Sequence, residues 1–543
     1  MTPTKKKSST GPLGDSHQRG HKGGTALKHE SHRRVVSPPT NPVAVAREFV
    51  SELYSRDGAV VLRDHRGNLY YWDGTCWPEI EKRDVRSAAY RFLEHVEYAH
   101  PDKGLVPFEP TRKKIDDLID ALRAVTLVRS AADVPTWIDN QVDPPASEMI
   151  SLTNGLLHVP SRTLVPHTSS FFTHHSLPFA FSRDFTRPTR WQQFLHELWP
   201  NDESSILALQ EVMGYILAGG TSLQKIFLFV GAKRAGKGTI GRVLTGLLGA
   251  HNVAAPTLAS LSTNFGLSPL IGKPLALISD ARLSNRADGS IVVERLLSIS
   301  GEDSLTIDRK YKDPWTGRLP TRLVIMTNEL PQITDSSGAV ASRFVVFQLV
   351  RSFFGRENHH LSDELLVEAS GIFNWALEGL DRLVARGHFV NPDSGSEAIQ
   401  QLEDLSSPIS AFMRDRCVIG PHQVETDTLW TAWKAWCDRE GRHPGTRAIF
   451  GRDLKSAVPT LRRIRPRGDG IVRPYVYEGL GLARHANDRE AVPGHPRPSV
   501  GPDGPGTSPM CGQAPNPGAW EAHASADTGA LLTKVQYRER DRI

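Results

Sequence analysis

The segment that most constrains the fold of this chain is a glycine-bounded loop between an apolar strand and an amphipathic helix. Ile226–Val230 are consecutive apolar residues, and the loop Gly231–Gly236 leads directly into Lys237. Apolar residues then recur at helical spacing over 240–248. A loop of this kind lets backbone N–H groups surround a polyphosphate, and the helix N-terminus adds about half a positive charge. The segment therefore predicts an α/β fold with a phosphate-binding loop (P-loop).

The predicted loop also assigns individual roles. Lys237 would reach the β- and γ-phosphates of ATP, and Thr239 would offer a hydroxyl to Mg²⁺. The usual pattern has Ser or Thr directly after the lysine, whereas this chain has Gly238 there. The predicted nucleotide-binding residues are Gly231, Ala232, Lys233, Arg234, Ala235, Gly236, Lys237, Gly238 and Thr239. The alternative is a glycine turn that only connects a buried strand to a helix.

Polar side chains follow two further buried strands. Leu275–Ile278 leads to Asp280, a carboxylate placed to hold Mg²⁺ and polarise the attacking water. Leu323–Met326 leads to Asn328, whose amide would orient that water. Arg343 precedes another strand and is predicted to be an arginine finger for the nucleotide of a neighbouring subunit. The alternatives are a strand-end cap for Asp280, a turn for Asn328 and a surface salt bridge for Arg343.

Composition limits the range of functions and locates the tails. Four Cys in 543 residues, with no CxxC pair, exclude a disulfide scaffold and a zinc ribbon. No apolar run is long enough to span a bilayer, so the chain is predicted to be cytoplasmic with no membrane partner. The net charge of +5 means that DNA-binding charge must be local. Residues 1–43, which are basic, and 483–543, which are rich in Pro and Gly, are predicted to be disordered.

Two further units flank the central region, residues 191–390. Residues 44–190 are predicted to be an accessory α+β region with no assignable metal-ligand pattern. Residues 406–482 carry three tryptophans on one helix face, which we expect to pack in a core. A basic hairpin is predicted at Leu461–Tyr477, and its arginines, including Arg463, Arg465 and Arg467, would contact DNA phosphates. A purely structural cap is the alternative for this unit.

The order of Gly231–Thr239, Asp280, Asn328 and Arg343 resembles that of the superfamily 3 helicases, a branch of the AAA+ ATPases. More narrowly, it resembles the helicase module of phage and plasmid primase-helicases, a group shared with poxvirus-type replication helicases. The resemblance covers about residues 150–482. It implies a helical region before the motor, a winged-helix domain at 406–482, and a homo-oligomeric ring, a hexamer, that hydrolyses ATP between subunits.

The resemblance also implies a DNA-contacting hairpin, which carries Arg309, Lys310 and Lys312 towards the central channel. Three positive charges around Tyr311 are a plausible element for following a phosphate backbone. A solvated charged loop is the alternative for these residues.

These observations together predict an ATP-dependent DNA helicase of a phage, prophage or plasmid replication system. ATP and Mg²⁺ are the predicted cofactors. Single-stranded and duplex DNA are the predicted partners, and a primase or another replication protein is a candidate partner. The region before the motor has no paired-carboxylate motif on a strand, which favours a helicase without primase activity over one with a cryptic primase. A nucleotide kinase and an ATP-binding, DNA-binding regulator are two competing hypotheses.

Overall fold

The computed structural model describes residues 34–139, 143–184, 187–279, 289–331, 339–465 and 474–483. Asp280, Arg467, residues 1–33 of the N-terminal tail and residues 484–543 of the C-terminal tail predicted at 483–543 lie outside the described residues. The predicted end of that tail at residue 43 is wrong, because Val35–Val36 pairs as a parallel strand with Glu97–Tyr98. None of the helices in the described part of the chain is both long and apolar enough to cross a membrane.

The N-terminal region, residues 35–172, combines small sheets with three helices. Its elements are β1 Val35–Val36, α1 Pro42–Leu53, β2 Ser55–Arg56, β3 Ala59–Val60, β4 Leu62–His65, β5 Asn68–Tyr71, β6 Glu79–Ile80, α2 Lys82–Leu93, β7 Glu97–His100, β8 Gly104–Pro107, α3 Arg112–Val125, β9 Thr136–Trp137, β10 Met149–Leu152, β11 Gly155–His158, β12 Thr163–Val165 and β13 Phe171–Phe172. The helices and the sheet β4-β5-β6 enclose one core, in which Trp77 and Phe49 are fully buried.

The hairpin β4–β5 turns at Arg66 and Gly67, which both have positive φ, at 51° and 78°. Two consecutive left-handed residues form the tight turn whose twist matches antiparallel strands, and glycine adopts this conformation without strain. The turn places Arg66 at the end of the hairpin, where its guanidinium lies 5.9 Å from the ring of Trp315.

The central region contains the P-loop segment. Its elements are α4 Thr189–Leu198, α5 Glu203–Leu217, β14 Ile226–Gly231, α6 Lys237–Leu248, β15 Val253–Ala254, α7 Leu258–Leu261, β16 Leu275–Ser279, α8 Gly289–Ser300, β17 Leu305–Arg309, β18 Lys312–Gly317, β19 Arg322–Thr327, α9 Ala339–Ser342, β20 Phe344–Leu349, α10 Leu361–Leu366 and α11 Ala369–Arg386. The helices α5 and α11 pack closely at Gly214, where a Cβ atom would lie 2.2 Å from the carbonyl oxygen of Ala376.

Five strands of the central region form a parallel sheet in the order β15-β16-β19-β14-β20. Its central strands are apolar along their length because helices or loops cover both faces, and this confirms the predicted α/β class with a parallel sheet. The strand β19 lies between β14 and β16 although it follows both in the sequence. The carboxyl ends of these three strands, at Gly231, Thr327 and Ser279, therefore share one edge.

The C-terminal region consists of α12 Ser396–Ser406, α13 Pro408–Arg416, β21 Cys417–Glu425, α14 Thr426–Arg439, α15 Arg447–Ala457, β22 Arg462–Ile464 and β23 Val476–Leu482. Its strands form an antiparallel sheet in the order β21-β23-β22. Trp433 and Trp436 stack at 5.5 Å and pack against Phe412. Both tryptophans are buried, which confirms that they form a core.

Candidate functional site

The P-loop runs from the end of β14 to the start of α6, and close packing explains the glycines at its two ends. A Cβ atom on Gly231 would lie 2.2 Å from the carbonyl oxygen of Leu349 in the neighbouring strand. Gly236 has a φ of +91°, and a Cβ atom there would lie 2.6 Å from the side chain of Leu198. Glycine at both positions therefore lets the loop turn tightly beside β20 and α4.

The chain that follows β20 supports the P-loop from outside. The hydroxyl of Ser352 donates to the carbonyl of Lys233 at 2.9 Å, and the N–H of Phe353 donates to the carbonyl of Arg234 at 3.0 Å. The Arg234 guanidinium also lies 3.4 Å from the carboxylate of Glu357. The segment after β20 thus donates hydrogen bonds to two consecutive carbonyls of the P-loop. Sequence reasoning did not identify these contacts, since a loop more than 100 residues away leaves no local signal.

The side chain of Lys237 joins the two predicted motifs. Its ammonium donates to the carbonyls of Gly231 at 2.6 Å and Ala232 at 2.8 Å, and to Oδ1 of Asn328 at 3.2 Å. Burial lowers the pKa of Lys237 below its ordinary value. Lys237 and Asn328 meet because β14 and β19 are adjacent parallel strands whose carboxyl ends share one edge. The ammonium is thus held at the mouth of the loop by three oxygens.

Thr239, which was predicted to hold Mg²⁺, is buried in the first turn of α6. Its hydroxyl accepts a hydrogen bond from Nη2 of Arg242 at 3.2 Å, and Nε of Arg242 donates to Ser362 at 2.7 Å. The guanidinium lies beside Gly238, where a Cβ atom would be 3.4 Å from Nη1, an ordinary van der Waals contact. A cation beside the hydroxyl does not suit a metal ion at the same oxygen, so the role of Thr239 stays a prediction.

The groups at the mouth of the loop are of a kind that would suit a polyphosphate. The loop offers backbone groups, the start of a 12-residue helix and a half-buried ammonium, all of which would suit phosphate oxygens. Strand β16 ends at Ser279, level with Met326 in β19, and Asp280 lies outside the described residues. Across the described ranges, no group of three or more His, Cys, Asp or Glu residues is arranged to hold a metal ion.

Arg343 lies at the opposite edge of the sheet from the P-loop. Its carbonyl accepts a hydrogen bond from Ile226, the first residue of β14, at 2.8 Å, so the length of β14, about 17 Å, separates the two sites. The guanidinium donates to the hydroxyl of Ser300 at 3.0 Å and to the carbonyl of Leu297 at 3.3 Å. The structure therefore does not bring Arg343 to the loop of its own chain.

The strands β17 and β18 form an antiparallel hairpin at the position where the sequence predicted one. Tyr311 occupies its tip with a φ of +58° and a fully exposed side chain. Lys310 lies with its ammonium 5.6 Å from the ring of Phe265, and the ammonium of Lys312 lies 3.2 Å from a carboxylate oxygen of Glu79. Arg309 donates to the carbonyl of Asp313 at 2.8 Å. All three predicted cations are brought together at the hairpin end.

Two of the predicted C-terminal cations surround one aromatic ring. The guanidinium groups of Arg463 and Arg465 lie 4.1 Å and 5.4 Å from the ring centre of Tyr475. Both arginines are exposed: Arg463 lies in β22, and Arg465 is the first residue after that strand. Arg467 lies outside the described residues.

Comparisons with known proteins match two consecutive segments. The model of the family described as D5 N terminal like matches residues 47–200, and the model of a family of unknown function, DUF5906, matches residues 229–343. The first segment contains the N-terminal region from within α1 onwards, together with α4. The second contains the P-loop, Asn328 and Arg343.

The solved structures that are similar to this chain include two of one protein region. One is described as the A form apo structure of the NrS-1 C terminal region, with 12% identity, a TM-score of 0.47, and 81% of this chain and 100% of that chain covered. The other, an apo structure of the same region, has 13% identity, a TM-score of 0.44, and 81% and 99% covered. The two matched segments lie in this order along the chain and together cover most of residues 47–343.

Proposed function

We propose that this chain is an ATP-dependent DNA helicase of the superfamily 3 type that serves the replication of a phage, prophage or plasmid. The observation that carries this proposal is the contact between Lys237 and Asn328 at 3.2 Å, at the shared carboxyl edge of β14 and β19. A phosphate-binding lysine and a polar amide at adjacent strand ends are what a nucleotide hydrolysis centre requires.

The chemistry follows from the groups that meet at this edge. The loop carbonyls and Asn328 now hold the Lys237 ammonium, which would turn to phosphate oxygens when a polyphosphate enters. The N-terminal N–H groups of α6 would stabilise the negative charge. The Asn328 amide would then be free to orient a water molecule against the terminal phosphate. ATP supplies the phosphoryl group when it is bound.

The strand order supports an AAA+ motor over a nucleotide kinase. In the sheet β15-β16-β19-β14-β20, the strand that ends at Asn328 is inserted between the P-loop strand and the strand that leads to Asp280. This insertion is an arrangement of AAA+ ATPases, whereas adenylate-kinase-type folds place the latter two strands side by side. The Gly-Lys-Gly-Thr sequence alone does not distinguish the two classes.

The position of Arg343 supports an oligomer. A finger about 17 Å from its own loop would reach a transferring phosphoryl group only at a neighbouring subunit. Its present partners, Ser300 and Leu297, are a hydroxyl and a carbonyl, so an anionic group would compete favourably for the guanidinium. In a closed ring, each subunit supplies one P-loop and one Arg343, so every P-loop faces the finger of a neighbouring subunit. We propose that this ring is a hexamer.

The C-terminal region supports DNA binding. We propose a winged helix here, and the order of helix, strand, helix, helix, strand and strand from α13 to β23, with the third strand between the other two, supports it. The exposed arginines Arg463 and Arg465 would contact phosphates from the last hairpin. The hairpin β17–β18 would provide a second contact through Arg309, Lys310 and Lys312.

The proposal is tested by ATP turnover of the purified chain, measured with and without single-stranded DNA. We expect turnover that the DNA stimulates, that Lys237→Ala abolishes, and that Lys113→Ala, at an exposed position on α3, leaves at the wild-type rate. Phosphate transfer to a small acceptor instead of water would identify a kinase. DNA binding that survives Lys237→Ala without any ATP turnover would identify a regulator.

A further inference from the structure

We propose that a groove between the hairpin β17–β18 and the N-terminal region binds single-stranded DNA, with the ring of Phe265 as a platform for base stacking. This inference rests on the proposed DNA-directed function, and it gives the N-terminal region a part in that function. The groove has a volume of about 400 Å³, and its lining includes Asn68, Glu79, Phe265, Arg309, Lys310 and Lys312. Its walls thus come from the hairpin, the segment before β16 and the sheet β4-β5-β6.

The charges of the groove suit a nucleic-acid backbone. Three cations of the hairpin line it, against the single carboxylate of Glu79. That carboxylate lies 3.2 Å from the Lys312 ammonium, and both side chains are almost half exposed. An ion pair this exposed to solvent is weak, so a phosphate can replace the carboxylate at little cost. Lys312 therefore has an internal partner that DNA would displace.

The positive surface continues from the hairpin onto the N-terminal region. Lys82 begins α2, directly after the strand that carries Glu79, and its side chain is exposed. Partial burial lowers the pKa of Lys82, and the nearby charges of Arg123, Lys312 and Arg309 lower it further, against an opposite effect of Asp64. Cations from two regions of the chain therefore lie close enough to repel one another. A phosphate backbone along this surface would relieve the repulsion.

Phe265 adds the feature that distinguishes a single strand from other polyanions. Its ring is 43% exposed in the wall of the groove, with the ammonium of Lys310 5.6 Å from the ring centre. Tyr311, at the tip of the same hairpin, is fully exposed. Aromatic rings beside backbone-binding cations are how single strands are held without sequence preference, since every base has a face that stacks. A paired duplex presents no free base face to such a ring.

The test is the affinity of the full-length chain for a fluorescently labelled oligo-dT, measured by anisotropy without nucleotide. We expect Phe265→Ala to weaken binding about 5- to 150-fold, the range for the loss of one stacked base. Phe265→Tyr should bind as the wild type does, whereas Phe265→Leu, which keeps apolar bulk without an aromatic face, should resemble Phe265→Ala. A purely structural role for the ring would instead let Leu substitute for Phe.

The charge variants test the groove independently of Phe265. Lys82→Glu should weaken binding and reduce the salt dependence of the affinity by at least about one counterion, because one phosphate contact is lost. Arg83→Glu is the matched control, since it makes the same change at the next exposed position of α2 and should have a smaller effect on both quantities. Glu79→Gln should tighten binding, because Lys312 then loses its competing carboxylate.

The failure of this inference is distinguishable from the failure of the proposed function. If Phe265→Ala and Lys82→Glu bind oligo-dT as the wild type does, while neutralising Arg309, Lys310 and Lys312 abolishes binding, the groove is overturned and the hairpin contact stands. If none of these changes affects binding, the single strand lies elsewhere, and both the groove and the proposed hairpin contact are overturned. ATP turnover without DNA, measured on each variant, reports on the motor separately.

Discussion

Removal of the carboxylate of Glu211 should destabilise the contact between α5 and α11 that supports the motor. The Glu211 side chain is only 4% exposed, and it accepts hydrogen bonds from Nε of Arg382 at 2.8 Å and Nη1 of Arg386 at 3.1 Å. Glu211→Ala would leave both guanidinium groups without their acid. Breaking a buried pair by removing one partner costs about 3–5 kcal/mol.

The structure places the expected cost at the lower end of that range. The side chains of Arg382 and Arg386 remain 36% and 26% exposed, so water can solvate part of each charge. Arg382 also keeps its bonds to the carbonyl of Leu207 at 3.0 Å and to Oε1 of Gln210 at 2.9 Å. We therefore expect a loss of about 3 kcal/mol, and a smaller loss for Glu211→Gln, which retains an acceptor.

Hydrogen exchange measured by mass spectrometry checks this magnitude locally. A loss of about 3 kcal/mol corresponds to exchange about 150-fold faster in the peptides that cover α5 and α11. Glu440→Ala is the control, because its pair with Arg439 at 3.2 Å is exposed on both sides and is worth at most about 1 kcal/mol. If Glu211→Ala changed exchange no more than Glu440→Ala does, the buried pair would not hold the two helices together.

Three further predictions concern the loop and the C-terminal core. ATP affinity should fall as the pH rises through the pKa of Lys237 in the free protein, which burial holds below its ordinary 10.5. The reason is that only the ammonium binds phosphate, and bound phosphate raises the pKa of Lys237. Equilibrium titrations of ATP binding should find no such fall for Lys237→Arg. Gly231→Ala should abolish ATP binding in the same titration, since its Cβ would lie 2.2 Å from a carbonyl oxygen, whereas Gly289→Ala has nothing within 4 Å and should be tolerated. Trp433→Ala should destabilise the C-terminal region by about 3–5 kcal/mol, as measured by thermal unfolding, because it empties a buried aromatic site. ATP turnover without DNA should persist in this variant. Loss of that turnover would contradict the assignment of this core to a separate unit.

The α/β class and the positions of the P-loop and of Asn328 after apolar strands were accessible from the sequence. Buried parallel strands appear as uninterrupted apolar runs, and polar residues directly after such runs lie at one edge of the sheet. The strand order was not accessible in this way, because β19 enters between two earlier strands through contacts that no local pattern encodes. The sequence therefore predicted which residues lie at the edge and left their neighbours undetermined.

The supports of the site were missed for a similar reason. Ser352 and Phe353 hold the loop from a segment with no apolar periodicity, and Arg242 contacts Thr239 and Ser362, which no local pattern predicts. The strand Val35–Val36 escaped notice because two residues are too few to establish an alternating pattern. In each case a tertiary contact determines where the residue lies, and the local secondary-structure propensity contributes little.

The central claim is that a loop of one subunit and a finger of its neighbour build each hydrolysis centre, and mixing two inactive variants tests it most directly. Lys237→Ala and Arg343→Ala should each lose DNA-stimulated ATP turnover. An equal mixture, assembled together, should regain about a quarter of the wild-type rate, since a quarter of the interfaces in a ring would combine an intact loop with an intact finger. Wild-type turnover by Arg343→Ala alone, or a mixture as inactive as its components, would contradict the claim.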